Sequence, residues 1–234
     1  MSTRPRITFD SRGYCNACVW QEKKSSLDWD KRQEELQYLL ERHRKSDGNF
    51  DCLVPMSGGK DGSYVAYNLK HKYGMNPLCV TVTPALPLPL GDKNLRNFLE
   101  SGYNHISINP DHEAMRQLNK TGFIKMGFPY FGWLTAIMTA PIKTAIAFGI
   151  DLIFYGEDGE VEYGGDMKNA FKATRDWTTD HKKHYFSGIN PEDFTQYGIS
   201  QNDLAPYMAP PAEKLEKLGM ELHFYGYYKK WVPQ

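Results

Sequence analysis

Three runs, "FDCLVPM" at 50–56, "PLCVTVT" at 77–83 and "DLIFYG" at 151–156, are predominantly apolar on neighbouring positions rather than on alternate ones. A half-exposed strand alternates, whereas a strand apolar on both sides is buried on both faces, the pattern of a parallel sheet covered by helices. Helical stretches stand between these runs. "SYVAYNLKHKYG" follows the first and stops at a glycine; "DKNLRNFLESG", which Asp92 would cap, leads to a short strand, "HISI"; "DHEAMRQLNKTG" comes next. "WLTAIMTAPIKTAIAFG" is apolar nearly all round, which predicts a buried helix bent or started anew at Pro141. "APPAEKLEKLG" and "MELHFYGYYKKW" add a further helix and strand. The expected fold is α/β, a parallel sheet with helices on both faces. Ahead of it, a polar arm leads into a helix from about Asp28 to Arg44 with Leu36, Leu39 and Leu40 on one face, a covering helix. The expected organisation is an arm and covering helix over 1–45, followed by the α/β domain over 46–234.

The chain has 234 residues, 41% hydrophobic and 24% charged, enough for one substantial core. Lysine plus arginine equals aspartate plus glutamate at 28 each, so no strong field exists to collect polyanions, and nucleic acid is not an expected partner. No apolar run approaches the roughly 20 residues of a membrane-spanning helix, and the N-terminus lacks the apolar stretch of a signal peptide. A cytoplasmic location without membrane insertion is expected. Cys52 and Cys79 lie in the strand runs and read as core packing, not as a disulfide framework.

Between the first strand and the helix after it lies "SGGKDGS", residues 57–63. A Walker loop needs a glycine five residues before its Gly-Lys pair, where this chain has Val54, and a hydroxyl after the lysine, where it has Asp61. A dinucleotide fingerprint needs Gly-x-Gly-x-x-Gly, and Gly58, Gly59 and Gly62 have the wrong first spacing. What remains is a glycine-rich turn at a helix N-terminus, where backbone N–H groups and the helix dipole favour an anion. The plainer alternative is a tight turn with Ser63 as a cap, but such a turn needs one glycine and no lysine.

The loop resembles the PP-loop of the ATP pyrophosphatases, Ser-Gly-Gly-x-Asp-Ser, with Gly62 inserted before the last serine. The resemblance implies an adenine-nucleotide alpha-hydrolase-like architecture and cleavage of ATP between its alpha and beta phosphates, with magnesium present. Carried over by position, Ser57, Gly58, Gly59, Gly62 and Ser63 would hold pyrophosphate, Asp61 would hold pyrophosphate and magnesium, and Lys60 would offset the charge. With the stretches "RPRITFDSRGYCNAC" and "GEDGEVEYGG" at 156–165, the chain is similar to the N-acetyl sugar amidotransferases of bacterial surface-polysaccharide, lipopolysaccharide and O-antigen pathways. That resemblance implies adenylation of the acetamido oxygen of a nucleotide-linked sugar, and displacement of AMP by ammonia from a glutaminase subunit. A tRNA-modifying PP-loop thiolase or ligase and a non-catalytic nucleotide-binding subunit are the alternatives. The oligomeric state is not legible.

Acidic groups near the reacting centre would bind magnesium or take a proton from the attacking nitrogen. Glu157 and Glu162 are the candidates beside Lys60 and Asp61, because Gly156-Glu157 directly follows a strand and should lie at its carboxyl end. As "EDGE" is also ordinary turn composition, an acidic surface turn is the competing reading. Tyr163 would stack on a sugar or base. Cys15 and Cys18 form Cys-x-x-Cys, half a tetrahedral zinc site. The resemblance implies a second such pair upstream and a continuation beyond Gln234, so the chain is expected to be a fragment or a shortened member. Either the pair is completed from elsewhere or it binds no metal, and a redox role lacks the usual place at the head of a helix after a strand. His181 and His184 read as a solvated basic face. The terminal aromatics Tyr225, Tyr227, Tyr228 and Trp231 read as packing or a partner surface.

Overall fold

The computed structural model describes residues 7–156, 171–174 and 189–230. Its centre is a five-stranded, wholly parallel sheet: β1 (Cys52–Pro55), β2 (Pro77–Val82), β3 (Asn104–Ile108), β4 (Leu152–Tyr155) and β5 (Glu221–Phe224). The strand order is β3-β2-β1-β4-β5. Chain order therefore reverses direction between β1 and β4, a topological switch point.

Strand pleating divides the apolar runs between two cores. Cys52 and Val54 of β1, Cys79 of β2, and Leu152 and Phe154 of β4 face one side. They meet Leu36, Leu39 and Leu40 of α2 (Trp29–His43) and Val65 and Ala66 of α3 (Lys60–Tyr67). Leu53, Leu78, Val80, Ile153 and Tyr155 face the other. There they meet Ile142 and Ala145 of α6 (Phe131–Ala147) and Leu215 of α8 (Ala212–Lys217). Each fully buried aliphatic side chain contributes roughly 1.5–3 kcal/mol, so both faces of every central strand are committed to packing. A third cluster joins Val82 at the end of β2 to α5 (His112–Met126), the start of α6, a 3₁₀ helix (Pro191–Tyr197) and the short α7 (Gln201–Leu204) with the turn after it.

The covering helix is as expected: Asp28 caps α2 by accepting from the Lys31 N–H at 3.0 Å. Other boundaries differ. The arm is not purely polar coil but contains α1 (Asn16–Lys23). Helix α3 begins at Lys60 rather than Ser63, then passes through a π-helical turn (Asn68–Lys72) to its glycine stop at Gly74, φ 62°. Helix α4 (Pro89–Glu100) starts before Asp92, with proline in its first turn, so Asp92 is an internal residue and no cap. Helix α5 runs through Gly122 to a left-handed Gly127, because Gly122 is where Phe131 packs: a Cβ there would meet the Phe131 Cβ at 2.6 Å. Helix α6 runs through Pro141 as one element, its burial outweighing a proline cost of about 3 kcal/mol. The last strand ends at Phe224, and Tyr225–Tyr228 turn into a short helix, α9, with Tyr225 and Tyr228 buried.

Two polar pins hold the edge opposite the strand carboxyl ends. Buried Asp51 accepts the Lys45 and Asn76 N–H groups, both at 2.6 Å, tying the start of β1 to that of β2. Glu221 accepts from Arg42 at 2.6 Å and faces buried His43 at 3.5 Å and His223 at 3.1 Å, joining α2 to β5.

Candidate functional site

At the carboxyl end of β1 the Met56 N–H still donates to the Val80 carbonyl at 2.8 Å, so the strand stays tied to β2 until the loop begins. Ser57 is exposed, and Gly58 then takes φ 77°, the left-handed turn that redirects the chain into α3. Gly59 is the N-cap residue, with no side chain to cap the helix, and Lys60, Asp61 and Gly62 form its first turn. First-turn N–H groups have no intrahelical acceptor and the dipole is positive there, so this end of α3 suits an anion. Ser63 is not the cap: its hydroxyl donates back to the Gly59 carbonyl at 2.8 Å.

Gly62 has a definite place. A Cβ built on it would lie 2.6 Å from the Met56 Cβ and 3.0 Å from the Pro55 carbonyl oxygen. The first turn of α3 therefore sits directly on the end of β1, closer than any side chain permits. At Gly58 a Cβ would meet the Leu95 backbone N and Cα at 2.8 Å, so α4 lies against the turn. At Gly156, immediately after β4, a Cβ would stand 3.0 Å from the Asp61 Cβ and carbonyl carbon. The end of β4 thus abuts Asp61 across the switch point, the crevice where open parallel sheets place ligands.

Ser57, Gly58, Gly59, Lys60, Asp61, Gly62 and Ser63 are therefore brought together in one turn. Glu157, Glu162, Tyr163, His181, His184 and Trp231 lie outside the described residues. Polar side chains that the sequence reading did not single out share the same edge: the Thr83 hydroxyl lies 2.5 Å from Asn109 Oδ1 and 3.3 Å from Ser107 Oγ, at the ends of β2 and β3. Their only sequence signal is position at strand ends, which hydroxyl residues commonly occupy.

Cys15 and Cys18 lie together, with Sγ atoms 3.5 Å apart. Cys15 occupies the N-cap position of α1. The pair stands at the head of a helix, though among the described residues an isolated bridge and no strand precedes it. Hydrogen bonds from the backbone of Cys18 draw the Cys15 thiol below its ordinary value, while neighbouring Cys15 pushes that of Cys18 up. Among the described residues no group of three or more His, Cys, Asp or Glu side chains is arranged to hold a metal ion. Burial pushes the Cys79 thiol up to about 12 and raises Cys52 further, leaving both as core packing. Among the described residues no helix is long and apolar enough to cross a membrane.

No family model matches the chain. The uncharacterized protein MJ1599 of Methanocaldococcus jannaschii is 31% identical over 80 residues, 34% of this chain and 28% of that protein. The match thus spans less than a third of the curated relative. Among solved structures, the predicted subunit of tRNA methyltransferase from Methanocaldococcus jannaschii is 18% identical with a TM-score of 0.31, over 50% of this chain and 57% of that one. NMN synthetase from Francisella tularensis is 12% identical with a TM-score of 0.40, over 89% of this chain and 99% of that one.

Proposed function

We propose that the chain is an ATP-dependent, AMP- and pyrophosphate-forming amidotransferase acting on a nucleotide-linked N-acetyl sugar in the cytoplasm. The observation that carries the reading is the seven-residue loop 57–63, set on a helix N-terminus at the switch point of a parallel sheet, with glycines at each close approach. A turn of this kind leaves room for a polyphosphate against backbone N–H groups, with Lys60 as a counter-charge. The reading assigns the cradle to the pyrophosphate end of ATP and Asp61 to magnesium, which when bound would neutralise charge on the phosphates.

An acetamido carbon resists ammonia because its oxygen leaves poorly. Transfer of AMP to that oxygen gives an imidate, and attack by ammonia then expels AMP and leaves an acetamidino group. Glu157 and Glu162 are proposed for proton removal, from their place in sequence just beyond Gly156. Ammonia is proposed to come from a glutaminase subunit, which accords with Cys52 and Cys79 being buried core thiols.

The test is incubation with ATP, magnesium, ammonium and a panel of UDP-N-acetyl sugars, following nucleotide, pyrophosphate and product mass. Expected are AMP, pyrophosphate and a sugar lighter by the difference between oxygen and NH. Release of ADP would refute the loop assignment. AMP release that depends on RNA and not on sugar would instead establish a tRNA-modifying enzyme.

A further inference from the structure

Cys15 and Cys18 are used by neither the loop nor the sheet, yet the fold presents them as a pair. A tight turn builds their platform. Gly13, φ 81°, reverses the chain, the Asp10 carboxylate accepts the Arg12 and Tyr14 N–H groups at 2.9 and 3.0 Å, and the Asn16 N–H donates to the Thr8 carbonyl at 2.9 Å. A β-bridge between Phe9 and Cys15 closes this hairpin at the residue that heads α1. One turn on, Cys18 returns to the same spot with its sulfur 3.5 Å from that of Cys15.

The two thiols differ in access. Cys18 is exposed and Cys15 is 6% exposed. A disulfide bond needs the sulfurs about 2 Å apart, and here they already stand 3.5 Å apart. We propose that Cys15 and Cys18 form a redox-active dithiol that closes to an intramolecular disulfide by exchange with a small-molecule disulfide of the glutathione class.

In the first step the Cys18 thiolate attacks one sulfur of the oxidant; the oxidant's sulfur–sulfur bond breaks, one glutathione thiolate leaves, and a mixed disulfide remains on Cys18. In the second, the Cys15 thiolate attacks Cys18 Sγ, forms the Cys15–Cys18 bond and expels the second glutathione. Two electrons pass from the protein sulfurs to the oxidant, and the two thiol protons leave with the released glutathione. Cys52 and Cys79, buried in the sheet, take no part.

The reduced, chelator-treated full chain is equilibrated in a series of glutathione redox buffers, acid-quenched, alkylated and mapped by mass. The expected result is loss of two hydrogens in the peptide carrying Cys15 and Cys18, with Cys52 and Cys79 alkylated only after denaturation. Cys15→Ser should accumulate a stable glutathione adduct on Cys18, and Cys18→Ser should react ~10-fold or more slowly, because its remaining thiol is buried. Two free thiols, or a persistent single adduct, across the whole series in the unaltered chain would overturn the proposal. So would one zinc ion that survives chelation and protects both thiols. The unaltered chain decides the matter even if a serine variant fails to fold.

Discussion

Gly62→Ala and Gly91→Ala make the same chemical change in two helices and should move stability in opposite directions. At Gly91, in α4, an added Cβ meets nothing within 4 Å and the backbone needs no left-handed φ. Loss of unfolded-state freedom should then stabilise by ~0.4–1 kcal/mol. At Gly62 the same helical gain, about 1 kcal/mol, is opposed by contacts at 2.6 Å with the Met56 Cβ and at 3.0 Å with the Met56 Cα and Pro55 oxygen. These are backbone and first side-chain atoms that cannot rotate away, so the overpacking cost belongs in the upper part of the usual ~1–3 kcal/mol. The net is a loss of about 1–2 kcal/mol, and the two variants should differ by ~1.5–3 kcal/mol. Urea denaturation with a shared m-value reads this as opposite shifts of the midpoint. A Gly62→Ala midpoint at or above that of the unaltered protein would refute the close packing of α3 on β1.

Asp61→Asn should lower AMP formation by ~10²-fold or more while costing under ~1 kcal/mol of stability, since it removes a charge from a helix first turn but no core packing. Retained turnover would remove Asp61 from the site. Asp51→Ala leaves the Lys45 and Asn76 N–H groups without their acceptor and should destabilise by about 3 kcal/mol in the same urea assay. Acid should weaken the fold in two stages. Burial pushes His223 below its ordinary 6.5, only partly offset by its hydrogen bond to Glu221. Burial also works to raise Glu221, but His223 and Arg42 outweigh it and hold that carboxyl below 4.5. In both cases the unfolded chain takes up protons at a higher pH than the folded one, so stability is full above about 6.5. It should fall from 6.5 towards the lower folded value of His223, then again below 4.5 as Glu221 is titrated. Urea midpoints from about pH 7 to about pH 4 check this, and His223→Gln should remove the first stage and shrink the second, since His223 is one of the groups that hold Glu221 below 4.5.

The central strands were legible because burial on both faces forces consecutive apolar residues, and Leu36, Leu39 and Leu40 marked the inner face of the covering helix by spacing alone. The start of α3 was not legible. Gly62 reads as a loop residue because glycine is a poor helix former, and its reason for being there, the approach to Met56, is a contact between elements. The same holds for Gly122, which looks like a helix end and is instead the seat of Phe131. The aromatic run after Phe224 reads as a longer strand; Tyr225 and Tyr228 turn away into a helix because the core beside Phe154 receives them there.

The sequence by itself determined the parallel α/β class and a glycine-rich turn after the first strand, because strand burial and backbone permissiveness are written in local residue types. Only the tertiary structure decided that β4 lies beside β1, bringing Gly156 so near Asp61 that a Cβ on it would stand 3.0 Å from the Asp61 Cβ. Strand order follows from how the helices fill two cores on opposite faces of the sheet, a balance of contacts distant in sequence that no local pattern carries.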